Sequence, residues 1–396
     1  MTAICNRQLN DGTPMRPAKI SEKVYQYLRR GMETGRFRVA EKIPTERDLA
    51  TQFGTSRPTV TRAIHRLVAE KLIRRQGKGG STVIALPERQ PLVFGAAMLG
   101  LAVHHREETT VNRVAREMAH LAGLEKVEIL FEDPSWSEDP GEAGVANQFR
   151  AVARTFIARR VSGVFLTPQE ILADQFVSPT VAIAQNFEEA GIPLVFLDRD
   201  LVRHPARTQT DLVGIDNLGA GYMLARHFLE LGCRRIDFLG HFTRVPTQES
   251  RIDGYLRAME LHGLHPDPGS VVHGNLFDPE FVIQTIRRRR PQAVLVVSDS
   301  RAAAVQRFAL QAGIRIPEDM RIGSFDDLPI CTQLPVPLTT IRQPVAAIAA
   351  VALRSMFHRL DNPGAPAVHC ELNGELIVRK SSGRPVLAAG VNPPRK

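Results

Sequence analysis

The sequence predicts an α/β chain: a small helical head at the N-terminus and a large body of two lobes, each a parallel sheet covered by helices. Three observations carry this. Positive charge is segregated, since the net charge is +9 overall while residues 1–90 hold 18 Lys and Arg against 8 Asp and Glu, and the rest hold 33 against 34. Helical periodicity fills the basic segment, and beyond it short runs rich in Val, Ile and Phe alternate with amphipathic stretches, the pattern of parallel sheets with crossover helices. Finally, 396 residues, 43% apolar and 23% charged, have the usage of folded globular domains and more length than one such sheet needs.

In the head, Ile20, Val24, Tyr27, Leu28 and Met32 recur at helical spacing and Gly35 follows where a helix stops, which predicts a first amphipathic helix. In IPTERDLATQFG, Thr45 can cap a short second helix with Asp48 as its capping-box partner, Leu49 and Phe53 face inward, and Gly54 ends it. Ser56 then caps a third helix, RPTVTRAIHRLVAEKL, with Pro58 tolerated in its first turn and Val60, Ile64, Leu67 and Val68 on its buried face. The tight turn between the last two makes a helix-turn-helix. The third helix is expected to expose Arg57, Thr59, Thr61 and Arg62 near its N-terminus, the end that enters a major groove. Arginine can make paired hydrogen bonds to guanine, while Thr and Ser serve phosphates or thymine methyls. LIRR and STVI flank QGKGGS as the strands of a wing, in which Gly77, Gly79 and Gly80 let the backbone approach a sugar-phosphate edge and Lys78 supplies charge. GKGGS lacks the first glycine of a Walker loop, so it holds no nucleotide triphosphate.

A short linker, residues 86–91 with Pro87 and Pro91, leads to the body. The apolar runs LVFGAAM, VEILF, GVFL, LVFL, IDFLG and AVLVV are its predicted strands. Ligands of open α/β sheets bind beyond the carboxyl ends of the strands. That rule selects Met98, Glu132, Asp133, Thr167, Asp198, Arg199, His241, Ser298, Asp299 and Asp326 as candidates. Carboxylates such as Asp198 and Asp326 can accept from vicinal hydroxyls, and the guanidinium of Arg251 can donate a fork to hydroxyls, a carboxylate or a phosphate. A single Asp at a strand end is more often a helix cap or turn former, so the cluster carries more weight than any member.

Residues 20–84 resemble the winged helix-turn-helix of GntR-type bacterial regulators, through IPTERDLATQFGTSRPTVTRAIHRLVAEKLIRRQGKGG. The resemblance implies DNA contacts by Arg47, Ser56, Arg57, Thr59, Gln76 and Gly77, to which the charge of Lys78 adds. This chain has Thr61 where the family usually has a basic residue. Residues 91–385 resemble the LacI/GalR effector domain through four ordered stretches: VGIDNLGAGYMLARHFLELGCRRIDFLG, RIDGYLRAMELHGL, PQAVLVVSDSRAAAVQRFALQAGIRIPEDMRIGSFDD and PLTTIRQP. That fold is similar to periplasmic sugar-binding proteins, whose two lobes close on a small molecule. The resemblance implies that Thr167 and Asp198 face the cleft from the first lobe, that Arg251, Ser298, Asp326 and Gln343 face it from the second or its crossover, and that Phe277 stacks on the ligand. Cys233 replaces the family's usual His, and the family's own head and hinge helix are absent. The fused arrangement resembles that of bacterial arabinose repressors.

These readings divide the chain into a head at 19–85, a linker at 86–91 and a body at 92–385, and predict a ligand-responsive transcription regulator. Its expected partners are double-stranded operator DNA, a small polar effector of the sugar class and, since one recognition helix reads few base pairs, a second copy in a homodimer. The alternative is a metabolite-binding protein or hydrolase with an incidental basic arm. No catalytic motif supports an enzyme: the sequence has no GxSxG, HExxH, Walker loop or strand-borne GxGxxG. Cys5, Cys233, Cys331 and Cys370 lie far apart without CxxC, so no metal or cofactor is expected. No apolar run is long enough to cross a bilayer and the N-terminus has no signal pattern, which predicts a cytoplasmic protein without membrane contact.

Overall fold

The computed structural model describes residues 17–33, 35–76, 80–86, 92–101, 108–134, 142–168, 179–202, 206–242 and 245–383. The linker after Leu86, Gly77 and Lys78 of the wing tip lie outside the described residues.

The head comprises α1 (Pro17–Glu33), α2 (Glu46–Gln52), α3 (Arg57–Ala69), β1 (Ile73–Arg75) and β2 (Ser81–Val83). Thr45 and Asp48 make the expected reciprocal capping box on α2. β1 and β2 pair antiparallel, with Ile73 opposite Val83, and Lys42 bridges to Thr82. Val24, Leu28 and Met32 of α1 close over Leu49, Val60, Ile64 and Leu67 in a core of the head's own. Tyr27 meets Phe37 and Phe53 edge-on, at 6.1 and 5.3 Å between centroids. Two expectations on α3 are corrected. Val68 is 36% exposed, because at 3.6 residues per turn it lies about 80° round the helix from Val60. Thr59 turns inward and is 2% exposed; its hydroxyl shares a 2.9 Å hydrogen bond with that of Ser56, which satisfies it. Ser56 occupies the N-cap position without capping through its side chain.

The body contains two six-stranded sheets. In the first, β4 (Glu128–Glu132), β3 (Val93–Ala97), β5 (Gly163–Leu166), β6 (Leu194–Leu197), β7 (Asp211–Ile215) and β13 (His369–Leu372) lie side by side in that order, all parallel. In the second the order is β9 (Val271–His273), β8 (Ile236–Gly240), β10 (Ala293–Val296), β11 (Arg321–Asp326), β12 (Thr339–Arg342) and β14 (Glu375–Ile377), parallel except for the last. All six expected runs are strands. Helices α4 (Thr110–Leu124), α5 (Glu142–Ala158), α6 (Pro179–Ala190) and α12 (Val345–Asp361) cover the first sheet. α7 (Asn217–Glu230), α8 (Pro246–Leu261), α9 (Pro279–Arg289), α10 (Asp299–Gln311) and the short α11 (Ile330–Gln333) belong to the second.

The chain passes between lobes three times: from β7 to α7, from β12 to α12 and from β13 to β14. Away from these joints, one buried ion pair fixes the far end of α12 to the start of β7. Arg359 of α12 grips both carboxylate oxygens of Asp211 at 2.8 and 2.6 Å, and the Val368 amide donates to the same carboxylate at 2.7 Å. Such a pair holds geometry more than it adds stability, but removing either partner strands a buried charge. In the second lobe, α7 and α8 cross at backbone contact. A Cβ on Gly221 would lie 2.0 Å from the Arg251 carbonyl oxygen, and one on Gly254 would lie 2.0 Å from that of Leu218.

Candidate functional site

Two surfaces concentrate the candidate residues. On the head, Arg47, Ser56, Arg57, Arg62 and Gln76 are exposed, all from α2, the start of α3 and the wing. Thr61 is half-buried, its hydroxyl 2.8 Å from Glu46 Oε2 and 2.9 Å from the Arg57 carbonyl. Glu46 also pairs with Arg75 of the wing strand, so Thr61 and Arg75 are tied to one carboxylate and Arg57 and Arg62 are left as the cations at the tip of α3. Thr59, buried as described, presents no hydroxyl to a groove.

The second surface lies between the lobes. In both sheets the strand order reverses after the first strand, β3 in one lobe and β8 in the other, and the loops beyond such reversals form crevices. They meet at a cavity of about 370 Å³ lined by six of the seven expected residues: Thr167, Asp198, Arg251, Ser298, Asp326 and Gln343. Met98, Arg199 and His241 join them. The seventh, Phe277, is not in the lining; it is 53% exposed, with its ring 5.8 Å from the guanidinium of Arg301, which is.

Each lobe contributes one carboxylate with an arginine beside it. Asp198 sits at φ +71° and takes a 2.9 Å hydrogen bond from Arg199 Nε on Oδ2. Asp326 sits at φ +119°, where L-residues are strained, and accepts from Gln343 Nε2 at 2.7 Å. Arg251 is held from behind: Nε donates to Asn217 Oδ1 and Nη1 to the Val297 carbonyl, both at 2.8 Å, and its guanidinium lies 4.6 Å from the centre of the Phe325 ring. Its Nη2 is thereby presented 4.0 Å from Asp326 Oδ1. Burial pushes the Asp326 carboxyl up to about 7, against the pull of Arg251, with Asp299 and Asp198 adding to the rise.

Three strand-end candidates do other work. Asp299 is fully buried, accepting from Ser324 Oγ, from Thr340 Oγ1 at 2.8 Å and from the Leu328 amide at 2.7 Å, and so ties β11, β12 and the turn after Asp326 together. Asp133 accepts from the Gly100 amide at 3.3 Å, and neither it nor Glu132 reaches the cavity. Conversely, the strand-end rule missed Thr110 and Val114 of α4, Thr247 and Gln248 of α8, and Arg301 of α10. They lie in or near first helical turns. Gln248 is wholly buried and exchanges hydrogen bonds with the backbone of His241, at 2.8 and 3.2 Å. Among the described residues no group of three His, Cys, Asp or Glu could hold a metal ion, and no helix is long and apolar enough to cross a membrane.

Residues 20–83 match the bacterial regulatory proteins of the gntR family, and residues 225–382 match the periplasmic binding protein-like domain. The chain is a transcription regulator with a gntR-family head and a periplasmic-binding-like body. Among similar proteins, the transcriptional regulator CelR of Thermobifida fusca is 26% identical over 351 residues, 85% of the regulator and 98% of CelR. The transcriptional repressor PurR of Pasteurella multocida is 25% identical over 230 residues, 57% of the regulator and 65% of PurR. Two solved structures share the fold. A CelR–cellobiose complex matches with a TM-score of 0.61 at 19% identity, over 86% of the regulator and all of that chain. The lac repressor dimer bound to operator and an anti-inducer matches with a TM-score of 0.60 at 19% identity, over 75% and 96%.

Proposed function

We propose that the regulator is a repressor, reading operator DNA as a homodimer through its head at 19–85, and released when its body at 92–385 binds a small neutral polyhydroxyl compound of the sugar class. The observation that carries this is the facing pair of carboxylates, Asp198 from one lobe and Asp326 from the other, each with an arginine beside it. These carboxylates and arginines give the cavity acceptors and donors for vicinal hydroxyls on both sides. Because the lining comes from both lobes, a ligand bridging them favours the closed arrangement, and by linkage it shifts operator affinity to the extent that the two arrangements hold the heads differently. The neighbour solved with cellobiose supports the ligand class, and the operator-bound dimer supports the assembly.

Thermal unfolding of the full chain against sugars, sugar acids, sugar phosphates and nucleosides tests the reading, since a ligand that binds only the folded form raises the midpoint. A neutral sugar should raise it, and the shift should vanish in Asp326→Ala. A shift given only by phosphorylated compounds overturns the ligand class.

Three further results follow. If ligand hydroxyls donate to Asp326, its bound form is ionised, so affinity should fall about tenfold per pH unit below about 7 and level off above it. Titration calorimetry between pH 5.5 and 8.5, values bracketing that rise by about 1.5 units each side, reads this directly, and a flat profile removes the carboxylate from the contact. The same raised value costs the unliganded fold stability as pH rises from the ordinary Asp range through about 7, so Asp326→Asn should unfold at a higher temperature than the native chain at alkaline pH. On the head, Arg57→Ala should weaken operator binding by about 1–3 kcal/mol at fixed salt if it grips a guanine. Unchanged affinity in a salt-matched titration assigns base reading elsewhere.

A further inference from the structure

The head is not only tethered by the linker; it is seated on the body. Helix α1 packs against α12, the helix that leaves the second lobe at β12 and lies on the first. Arg30 of α1 is 7% exposed, donates from Nε to Asp361 Oδ1 at 2.9 Å, and lies 5.5 Å from the centre of the Phe357 ring. Phe357 in turn meets Phe94 of β3 edge-on at 5.8 Å, and Phe94 meets Phe165 of β5 in the same way at 5.8 Å.

The other end of α12 is in the cavity. Gln343, two residues before the helix, donates to Asp326, and Ile348 in its first turns lines the same space. A single helix of 17 residues, about 25 Å long, thus has its start at the carboxylate of the cleft and its end under the head. A helix is stiff over that length, so a change of angle where β12 hands over to α12 displaces Asp361 and Phe357 with it.

We propose that α12 is the lever that couples the cleft to the DNA-reading head, with Arg30, Asp361 and Phe357 as the latch by which the head rides on it. Its meaning for repression rests on the function proposed above, but the latch and the lever are testable without any effector. The exposed reading residues Arg47, Arg57 and Arg62 are no part of the latch, so the seated head can still meet DNA, and the lever sets its position.

Amide hydrogen exchange of the full chain, followed over α1 with β5 and β6 as a control for folding, provides the test. Asp361→Ala should speed exchange in α1 by at least about threefold, and the reversal Arg30→Asp with Asp361→Arg should restore most of the protection. Loss of Asp361 removes an unfavourable charge from a helix C-terminus, so α12 itself should not loosen. Gln343→Ala should change α1 exchange by about twofold or more in the native background and leave it unmoved once Asp361 is Ala. If Asp361→Ala leaves α1 unchanged there is no latch, and if Gln343→Ala acts equally in both backgrounds there is no lever.

Discussion

Gly221→Ala is expected to destabilise the body by about 3 kcal/mol or more and to abolish ligand binding with it. On an open helix the same change stabilises, by about 0.5–1 kcal/mol, because alanine loses less chain entropy than glycine. Here the new methyl would meet the Arg251 carbonyl oxygen at 2.0 Å, its carbon at 2.7 Å and its Cα at 2.9 Å. All three are backbone atoms, so no side chain can swing aside, and α7 and α8 must part. Arg251 is itself fixed by Asn217 and the Val297 carbonyl, so a parted helix drags the guanidinium out of the cavity. Gly123 in α4 supplies the control: its Cβ would meet nothing within 4 Å, and Gly123→Ala should raise the unfolding midpoint. Denaturant titration of both variants measures the contrast. Equal and favourable shifts would mean that the two helices do not cross so closely.

Asp299→Ala should cost on the order of 3 kcal/mol or more, for a different reason. Its carboxylate takes hydrogen bonds from Ser324, Thr340 and the Leu328 amide at a site with no solvent access. Burial pushes its carboxyl up, with those donors opposing. Alanine leaves all three without a partner, and the Leu328 amide cannot rotate to find another. Asp299→Asn keeps one oxygen and can offer its amide group to the two hydroxyls, so it should cost clearly less. The positive-φ turn at Asp326 and Asp327 leans on this anchor, so both variants should also weaken ligand binding. Wild-type stability in Asp299→Ala by chemical denaturation would refute the account.

Much of this was legible in the residues, and the misses have physical causes. The strands LVFL and AVLVV are buried on both faces, and a run of that kind announces itself. β13 and β14 carry HCEL and ELI at sheet edges, where burial is partial and no apolar run is needed, so neither was visible. In the cavity, strand ends are marked by an abrupt change from apolar to polar, which picked out Asp198, Ser298 and Asp326. Thr110, Gln248 and Arg301 enter from helical turns, where nothing in the local pattern separates a residue facing the cavity from one facing water. Thr59 shows the limit from the other side: its spacing suited an outward face, but a neighbouring hydroxyl gave it a partner inside.

The second lobe crossing bears on the order of synthesis. The first lobe takes α12 and β13 from residues 345–372, whereas the head closes on a core of its own made from residues before 84. A growing chain can therefore complete its DNA-reading part long before the platform beneath it exists. Any chain cut short ahead of residue 345 retains every residue of the head's core and lacks α12, the seat on which the head rests.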